Sequence, residues 1–224
     1  MDLSGIDCLG LDRVLKRGSG KIIAEMDGAL LLRDEVSGAY MLACGDTAEG
    51  MALLDRHISD DCRLLMVADR ALGLAAYEKF GFSGRLECYQ VAYYGKTPSA
   101  GAELQFRTAD ESDLPMLTEN YALLSPEELR AVVKRGSVLL RYDRGRLVGF
   151  IGEHLEGSMG ILYVFPEYRR RGFGAALQAR LMVRTIKQGY IPFGQVEKTN
   201  TASLLMQKKL GMTQSDRLIV WMWR

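Results

Sequence analysis

Ile161-Leu-Tyr-Val-Phe-Pro-Glu-Tyr-Arg-Arg-Arg-Gly-Phe-Gly-Ala-Ala176 runs an apolar strand into a turn with three arginines and two glycines, and a helix begins at once. The first turn of a helix exposes backbone N–H groups without partners and a partial positive charge, which together bind phosphate. Gly172 and Gly174 lack a side chain, so the backbone there can approach a diphosphate closely. Arg169, Arg170 and Arg171 add fixed charge. A basic surface turn ahead of an ordinary helix is the plain alternative, and glycines alone would not exclude it. Strand, arginines, Gly-Phe-Gly and helix in that order favour a polyanionic ligand.

On both sides of this stretch the pattern is mixed α/β. Apolar spacing at Ala176, Leu177, Leu181, Val183 and Ile186 predicts a helix ending near Gly189. A strand follows at about 191–197, then a helix over 200–210 closed by Gly211, then a strand over 217–223. Upstream, residues 104–108 read as a strand. Asp110 or Ser112 can cap a helix running to about Ala122, and Ser125-Pro-Glu-Glu128 opens another by the capping-box pattern. Residues 137–142 and 146–154 are strands joined at Asp143-Arg-Gly-Arg146. Glu156-Gly157 turns into the third strand, at about 159–165. The order β-α-α-β-β-β-α-β-α-β excludes an alternating Rossmann arrangement.

Gly95-Lys-Thr-Pro-Ser-Ala-Gly-Ala-Glu103 is small, polar and punctuated by Pro98 and Gly101, and predicts a connection between two domains, 1–98 and 99–224. The first reads as strands at 28–32, 39–43, 63–67 and 86–93 with helices at 48–58 and 70–80. Its junction Leu74-Ala-Ala-Tyr-Glu-Lys-Phe-Gly-Phe82 echoes Leu204-Leu-Met-Gln-Lys-Lys-Leu-Gly-Met212, which suggests a duplicated unit.

Composition narrows the function. Apolar residues are 48% and charged residues 25%, ordinary values that exclude a disordered chain. A net charge of +1 gives no sign of a nucleic-acid partner. No apolar run approaches the roughly 18 residues of a membrane span, and the opening MDLSGIDCLGLDRVLKRGSG has no signal-peptide pattern. Cys8, Cys44, Cys62 and Cys88 form no CxxC pair, so reduced thiols and a cytoplasmic location are expected. The charge is unevenly spread. Residues 1–98 carry −4, whereas residues 161–224 carry eleven basic side chains against Glu167, Glu197 and Asp216, a net of +8. That bias is either a solvated basic face or the counterpart of a polyanion.

Val164-x-Pro166-x-x-Arg169-Arg-Arg-Gly172-x-Gly174 resembles the acetyl-CoA-binding signature of the GCN5-related N-acetyltransferase (GNAT) superfamily. Asn200-x-x-Ser-Leu-x-x-x-x-Lys-Leu-Gly-Met212 is similar to that superfamily's closing helix. Within it, residues 157–169 followed by Ile191-Pro-Phe most resemble the glycine N-acyltransferase-like, or FR47-like, branch. The likeness covers residues 103–224 well and the first lobe faintly. It implies an α/β (α+β) GNAT fold, a mixed and mostly antiparallel sheet flanked by helices, behind a degenerate GNAT-like lobe. It also implies acetyl-CoA or another acyl-CoA as co-substrate, no metal, and a small-molecule primary amine as acceptor, with a homodimer left open. Backbone groups of Leu162, Tyr163 and Val164 would pair with the pantetheine arm. N–H groups of Arg169, Arg170, Arg171, Gly172, Phe173, Gly174 and Ala175 would cradle the diphosphate, with Asn200 and Ser203 near the thioester end. The three phosphates of coenzyme A would account for the +8 stretch. The first lobe's corresponding turn, Cys44-Gly-Asp-Thr-Ala48, has no arginine and brings an acid where a phosphate would lie.

Acid/base residues depart from the resemblance. Positions that carry a carboxylate or a tyrosine in many relatives hold Ser158, Gln195 and Gln207. Glu197 alternates with Gln195 along one strand and so shares its face, which makes it the best single candidate for a catalytic base. Glu153 and Glu156 flank the turn before Ser158. Amine attack on a thioester needs a base mainly to supply the free amine, worth about 10²–10⁴-fold, so positioning alone could sustain slow transfer. A module that binds acyl-CoA without turnover is the alternative, and a two-lobe interaction protein that binds no nucleotide is a third reading. Other apparent motifs fail. Glu156-Gly-Ser-Met-Gly160 lacks the first glycine of a hydrolase elbow, and Gly18-Ser-Gly-Lys21 has Ile22 where a P-loop needs Ser or Thr. His57 and His154 stand apart, which argues against a metal. Trp221 and Trp223 read as core and edge packing.

Overall fold

The computed structural model describes residues 1–98 and 105–224. Residues 99–103 of the expected linker and residue 104 of the expected strand lie outside the described residues. A 3-10 turn, Ile6–Cys8, leads into α1 (Leu9–Lys16), β1 (Gly20–Met26), β2 (Ala29–Asp34), β3 (Tyr40–Cys44), α2 (Thr47–His57), β4 (Leu64–Val67), α3 (Arg70–Phe80) and β5 (Gly84–Ala92). Then come β6 (Gln105–Thr108), a 3-10 turn at Glu111–Asp113, α4 (Leu114–Asn120), α5 (Pro126–Lys134), β7 (Val138–Asp143), β8 (Arg146–Glu153) and β9 (Met159–Val164). After a 3-10 turn at Pro166–Tyr168 follow α6 (Phe173–Lys187), β10 (Phe193–Glu197), α7 (Thr201–Lys209) and β11 (Thr213–Trp223). The class is α+β, with the strand and helix order expected for the second half. The capping box at Ser125 forms, its hydroxyl accepting from the Glu128 N–H at 3.2 Å. Asp110 caps the 3-10 turn rather than α4 itself.

Packing divides the chain into two compact units that do not follow the sequence halves. One holds Met1–Ala92, Gln195–Lys208 and Thr213–Arg224; the other holds Tyr93–Gly194 and Lys209–Met212. The later part of the sequence therefore contributes α7 and β11 to the first unit.

In the first unit the strands run β1-β2-β3-β4-β11-β5. Strands β3 and β4 are parallel, and β11 lies antiparallel to both β4 and β5. Period-two alternation sends Leu31, Leu42, Leu65, Val67, Val220 and Met222 toward Leu53, Leu54, Leu72 and Ala76 of α2 and α3. The intervening Leu30, Leu32, Met41, Met66, Ile219 and Trp221 meet Leu11 and Val14 of α1. Trp221 is core and Trp223 is edge, as expected, with the Trp221 indole N–H donating to Gln195 Oε1 at 2.7 Å. Helix α1 and strand β1 are additions to the sequence reading. Helix α1 is only eight residues, little more than two turns.

In the second unit β6, β7, β8 and β9 are successive antiparallel neighbours, and the start of β10 runs parallel to β9. Val138, Leu140, Phe150 and Ile161 bury one sheet face against Leu117 of α4 and Leu129, Val132 and Val133 of α5. Helix α6 packs on the other face of β8 and β9, burying Leu177 and Leu181. Gly149 of β8 makes that approach possible. A methyl there would run into the Tyr163 carbonyl, with the Val164 Cα at 3.1 Å and Leu177 Cδ1 at 3.3 Å.

Candidate functional site

Strand β9 does not run straight into the turn that follows it. Phe150 pairs with Tyr163 and Gly152 with Gly160, so Ile161 and Leu162 together oppose Ile151 in a β-bulge. Ile161 takes φ +46°, a left-handed conformation that a β-branched residue adopts only under strain of about 1–3 kcal/mol. Among the described residues, β9 is in register with β10 at one position, Met159 with Gly194. Tyr163 and Val164 pair with Phe150 and Gly149 of β8, Leu162 lies in the bulge, and among the described residues none of the three is in register with β10. The Tyr163 ring stacks on Phe150 at 5.5 Å and meets Phe165 edge-on at 5.4 Å, which fixes this stretch in place.

The turn beyond β9 is built to present N–H groups. Arg169 Nε donates to the Val164 carbonyl at 2.9 Å and pulls the loop back onto the strand. Arg170 and Gly172 both adopt positive φ, +60° and +81°. Gly172 is the N-cap of α6, and no side chain caps the helix. The N–H groups of its first turn, Phe173, Gly174 and Ala175, therefore have no side-chain acceptor. Arg169, Arg170 and Arg171 are exposed around them. Arg171 lies over the Phe173 ring at 5.1 Å, with Asp143 at 3.8 Å. Arg141 of β7, 6% exposed, has its guanidinium carbon 4.7 Å from the Phe173 ring centroid, and its Nε and Nη1 have no hydrogen-bond partner. Uncapped N–H groups, a strand stretch out of register with β10 and surplus guanidinium charge fit a diphosphate carried on an extended arm. Arg141 escaped the sequence reading, though one charge inside the apolar run Val138-Leu-Leu-Arg-Tyr142 was its signal.

Helices α2 and α3 of the first unit begin differently, each capped by an acid. Asp46 caps α2, its Oδ1 accepting from the Ala48 and Glu49 N–H groups at 2.8 and 3.1 Å. Asp69 caps α3 through the Leu72 N–H at 2.8 Å.

The expected site residues are divided between the units. Leu162, Tyr163, Val164 and Arg169 through Ala175 come together in the second unit, whereas Glu197, Asn200 and Ser203 belong to the first. Glu197 is exposed at the end of β10. Asn200 starts α7, its Oδ1 accepting from the Ser203 N–H at 3.1 Å. Gln195 is engaged by Trp221 and by Gln90, while Gln207 is buried with Oε1 unpaired. In the second unit Ser158 donates to Glu156. All four cysteines are free, and burial pushes the thiols of Cys8, Cys44 and Cys62 up to about 11 and Cys88 to about 12. Such thiols are protonated and unreactive near neutral pH. No metal-binding cluster and no helix long and apolar enough to cross a membrane occur among the described residues.

The FR47-like protein family matches residues 138–222, from β7 through β11. Residues 138–222 thus carry an FR47-like domain. No curated protein matches the chain. Among solved structures, a structural-genomics protein from Drosophila is 17% identical with a TM-score of 0.69, over 99% of this chain and 91% of that one. A GNAT-family protein from Novosphingobium aromaticivorans is 17% identical with a TM-score of 0.58, covering 93% and 91%. A GCN5-related N-acetyltransferase-like protein from Streptococcus suis is 14% identical with a TM-score of 0.57, covering 95% and 93%. At these identities the likeness is one of fold, and it extends beyond the FR47-like domain to the part of the chain that precedes it.

Proposed function

We propose that the protein is a cytoplasmic N-acyltransferase that moves an acetyl or other short acyl group from coenzyme A to a primary amine on a small molecule. The uncapped start of α6 behind Gly172, next to the stretch of β9 out of register with β10, carries this reading. The diphosphate binds the N–H groups from Arg169 to Ala175, and the pantetheine amides pair with Leu162, Tyr163 and Val164 as an added strand. Asn200 and Ser203 are the residues that the superfamily resemblance nominates for the thioester end. The acceptor nitrogen attacks the thioester carbonyl carbon. The C–N bond forms, the C–S bond breaks, sulfur departs with the electron pair and is protonated, and the nitrogen gives up one proton. Orientation supplies much of the rate, since fixing two reactants together is worth up to about 7–11 kcal/mol. Glu197 is the carboxylate that sequence position nominates for the acceptor's proton.

A coenzyme A-binding module without turnover is the second reading, favoured by the engagement of Gln195 and Ser158 in internal hydrogen bonds. Incubation with acetyl-CoA, a panel of amines and a thiol reagent separates the two, because only an enzyme releases free thiol faster with acceptor. Gly172→Val tests the site. At φ +81° a β-branched residue is strained, so the turn must rearrange, and coenzyme A should bind at least tenfold more weakly, about 1.4 kcal/mol. Unchanged affinity in the folded variant would refute the assignment.

A further inference from the structure

Ser158, bonded to Glu156, leaves the second unit's part of the proposed site without an obvious proton acceptor, yet one histidine stands beside β9. A pantetheine arm that starts at α6 and follows β9 passes Val164, Tyr163 and Leu162 in turn, so its thioester falls near the bulge at Ile161 and Gly160. The His154 imidazole lies directly over Gly160, where even a methyl would collide with its Nε2. The Tyr121 hydroxyl is 3.4 Å from that same Nε2, with the rings tilted at 50° and 6.3 Å apart. The Ile161 backbone N–H is close enough to the Tyr121 hydroxyl to exert a lowering effect on it, which places the pair beside the strained residue of the bulge. Residues 33 positions apart thus converge on one point of β9.

We propose that His154 is the general base for the acceptor amine and that Tyr121 is its positioning partner, an inference that rests on the acyltransferase reading. The ammonium form of the acceptor loses a proton to the imidazole, and the free amine attacks the thioester carbon. As the C–N bond forms and the C–S bond breaks, the nitrogen gives up a second proton, which passes to the departing thiolate directly or through water, and the imidazolium releases the first proton to solvent, leaving amide, thiol and neutral imidazole. Tyr121 stays a neutral phenol throughout. Burial pushes its hydroxyl up to about 12, against the lowering effect of the Ile161 N–H, and the Glu156 charge adds to the rise. A phenol that keeps its proton can donate to one face of the imidazole and hold it in a single orientation. The charged groups around the pair are Glu153 and Glu156 on the same hairpin, and Arg135 beyond α5, whose Nη1 donates to the Leu155 carbonyl at 2.9 Å. Glu153 accepts from the Thr185 hydroxyl at 2.9 Å, and Glu156 accepts from Ser158.

The experiment measures thiol release from acetyl-CoA with a panel of primary amines between pH 5.5 and 9.5, for the wild type, His154→Gln, Tyr121→Phe and Glu197→Gln, with calorimetric affinity for coenzyme A alongside. His154→Gln should lower kcat at least tenfold and remove the acidic limb of the profile, because a base is lost as it becomes protonated. Tyr121→Phe should lower kcat less and displace that limb. Both variants should bind coenzyme A within twofold of the wild type. A packing role would shift the thermal midpoint or KM and leave the shape of the profile alone. If the limb survives in both variants, or vanishes in Glu197→Gln instead, the dyad is wrong and the acyltransferase reading stands. If the wild type binds coenzyme A but no amine accelerates thiol release, both fail.

Discussion

Asp34 shows how one residue can anchor a whole unit. Its side chain is fully buried at the end of β2 and accepts from Ser19 Oγ at 2.5 Å, Ser37 Oγ at 2.6 Å and Arg17 Nη2 at 2.8 Å. Burial alone would raise its pKa, but the bonds from Ser19, Ser37 and Arg17 together outweigh it and hold the carboxyl below the usual range. A depressed carboxylate contributes stability that is present above the unfolded value, about 3.9, and is lost as pH falls through the folded one. Asp34→Ala should therefore cost about 3–5 kcal/mol at neutral pH, because it leaves a buried guanidinium unpaired. The same variant should flatten the decline of the thermal midpoint below about pH 4, as melts between pH 2 and 7 would record. A pH dependence identical to the wild type's would mean that the carboxyl is not linked to folding. At this scale the sequence was uneven. Gly172 and the three arginines could be read because they are contiguous. Asp34 and the His154–Tyr121 pair could not, because burial and long-range contact define them, and Arg141 showed only as one charge inside an apolar run.

Among the elements, α6 and α2 make the instructive contrast. Both follow a strand through a short turn, but α6 begins with a bare glycine and α2 with an aspartate that occupies its own helix's N–H groups. The acid at position 46 was visible in the sequence as a repellent for phosphate; its use as a cap required the helix boundary. Asp46→Ala should cost about 1 kcal/mol, the ordinary worth of an N-cap, without creating an anion site. Helix α6 also depends on what lies beneath it. Because Gly149 faces the Tyr163 carbonyl, Gly149→Ala should push β9 and α6 off β8 and destabilise the protein by about 1–3 kcal/mol. It should weaken coenzyme A binding as well, since the displaced strand carries residues 162–164. A chemical denaturation midpoint equal to the wild type's would show that β8 and β9 have slack at this point. Strands and helices were legible wherever period and caps coincided, and α1 and β1, a short helix and an edge strand, were missed.

For the molecule as a whole, the two units predict one coenzyme A site per chain. Calorimetric titration should give a stoichiometry near one, and the site should disappear in Gly172→Val; a second site that survives this change would mean that the first unit binds the ligand after all. The sequence divided the chain at its linker, but packing divides it otherwise, because β11 can be recognised as a strand without its partner being known. Strand β11 fills the slot between β4 and β5, with Val220 opposite Val67 and Glu87, and Trp221 opposite Met66 and Leu86. A ribosome adding roughly 5–20 residues per second finishes β4 some 150 residues before Val220, an interval of about 8–30 s. Throughout it, two strand edges stand open over a core that lacks Ile219, Val220, Trp221 and Met222. Residues 93–194 can complete most of their own core first, so the unit begun before them closes after them, and the growing chain is most exposed to aggregation through the open edges of β4 and β5.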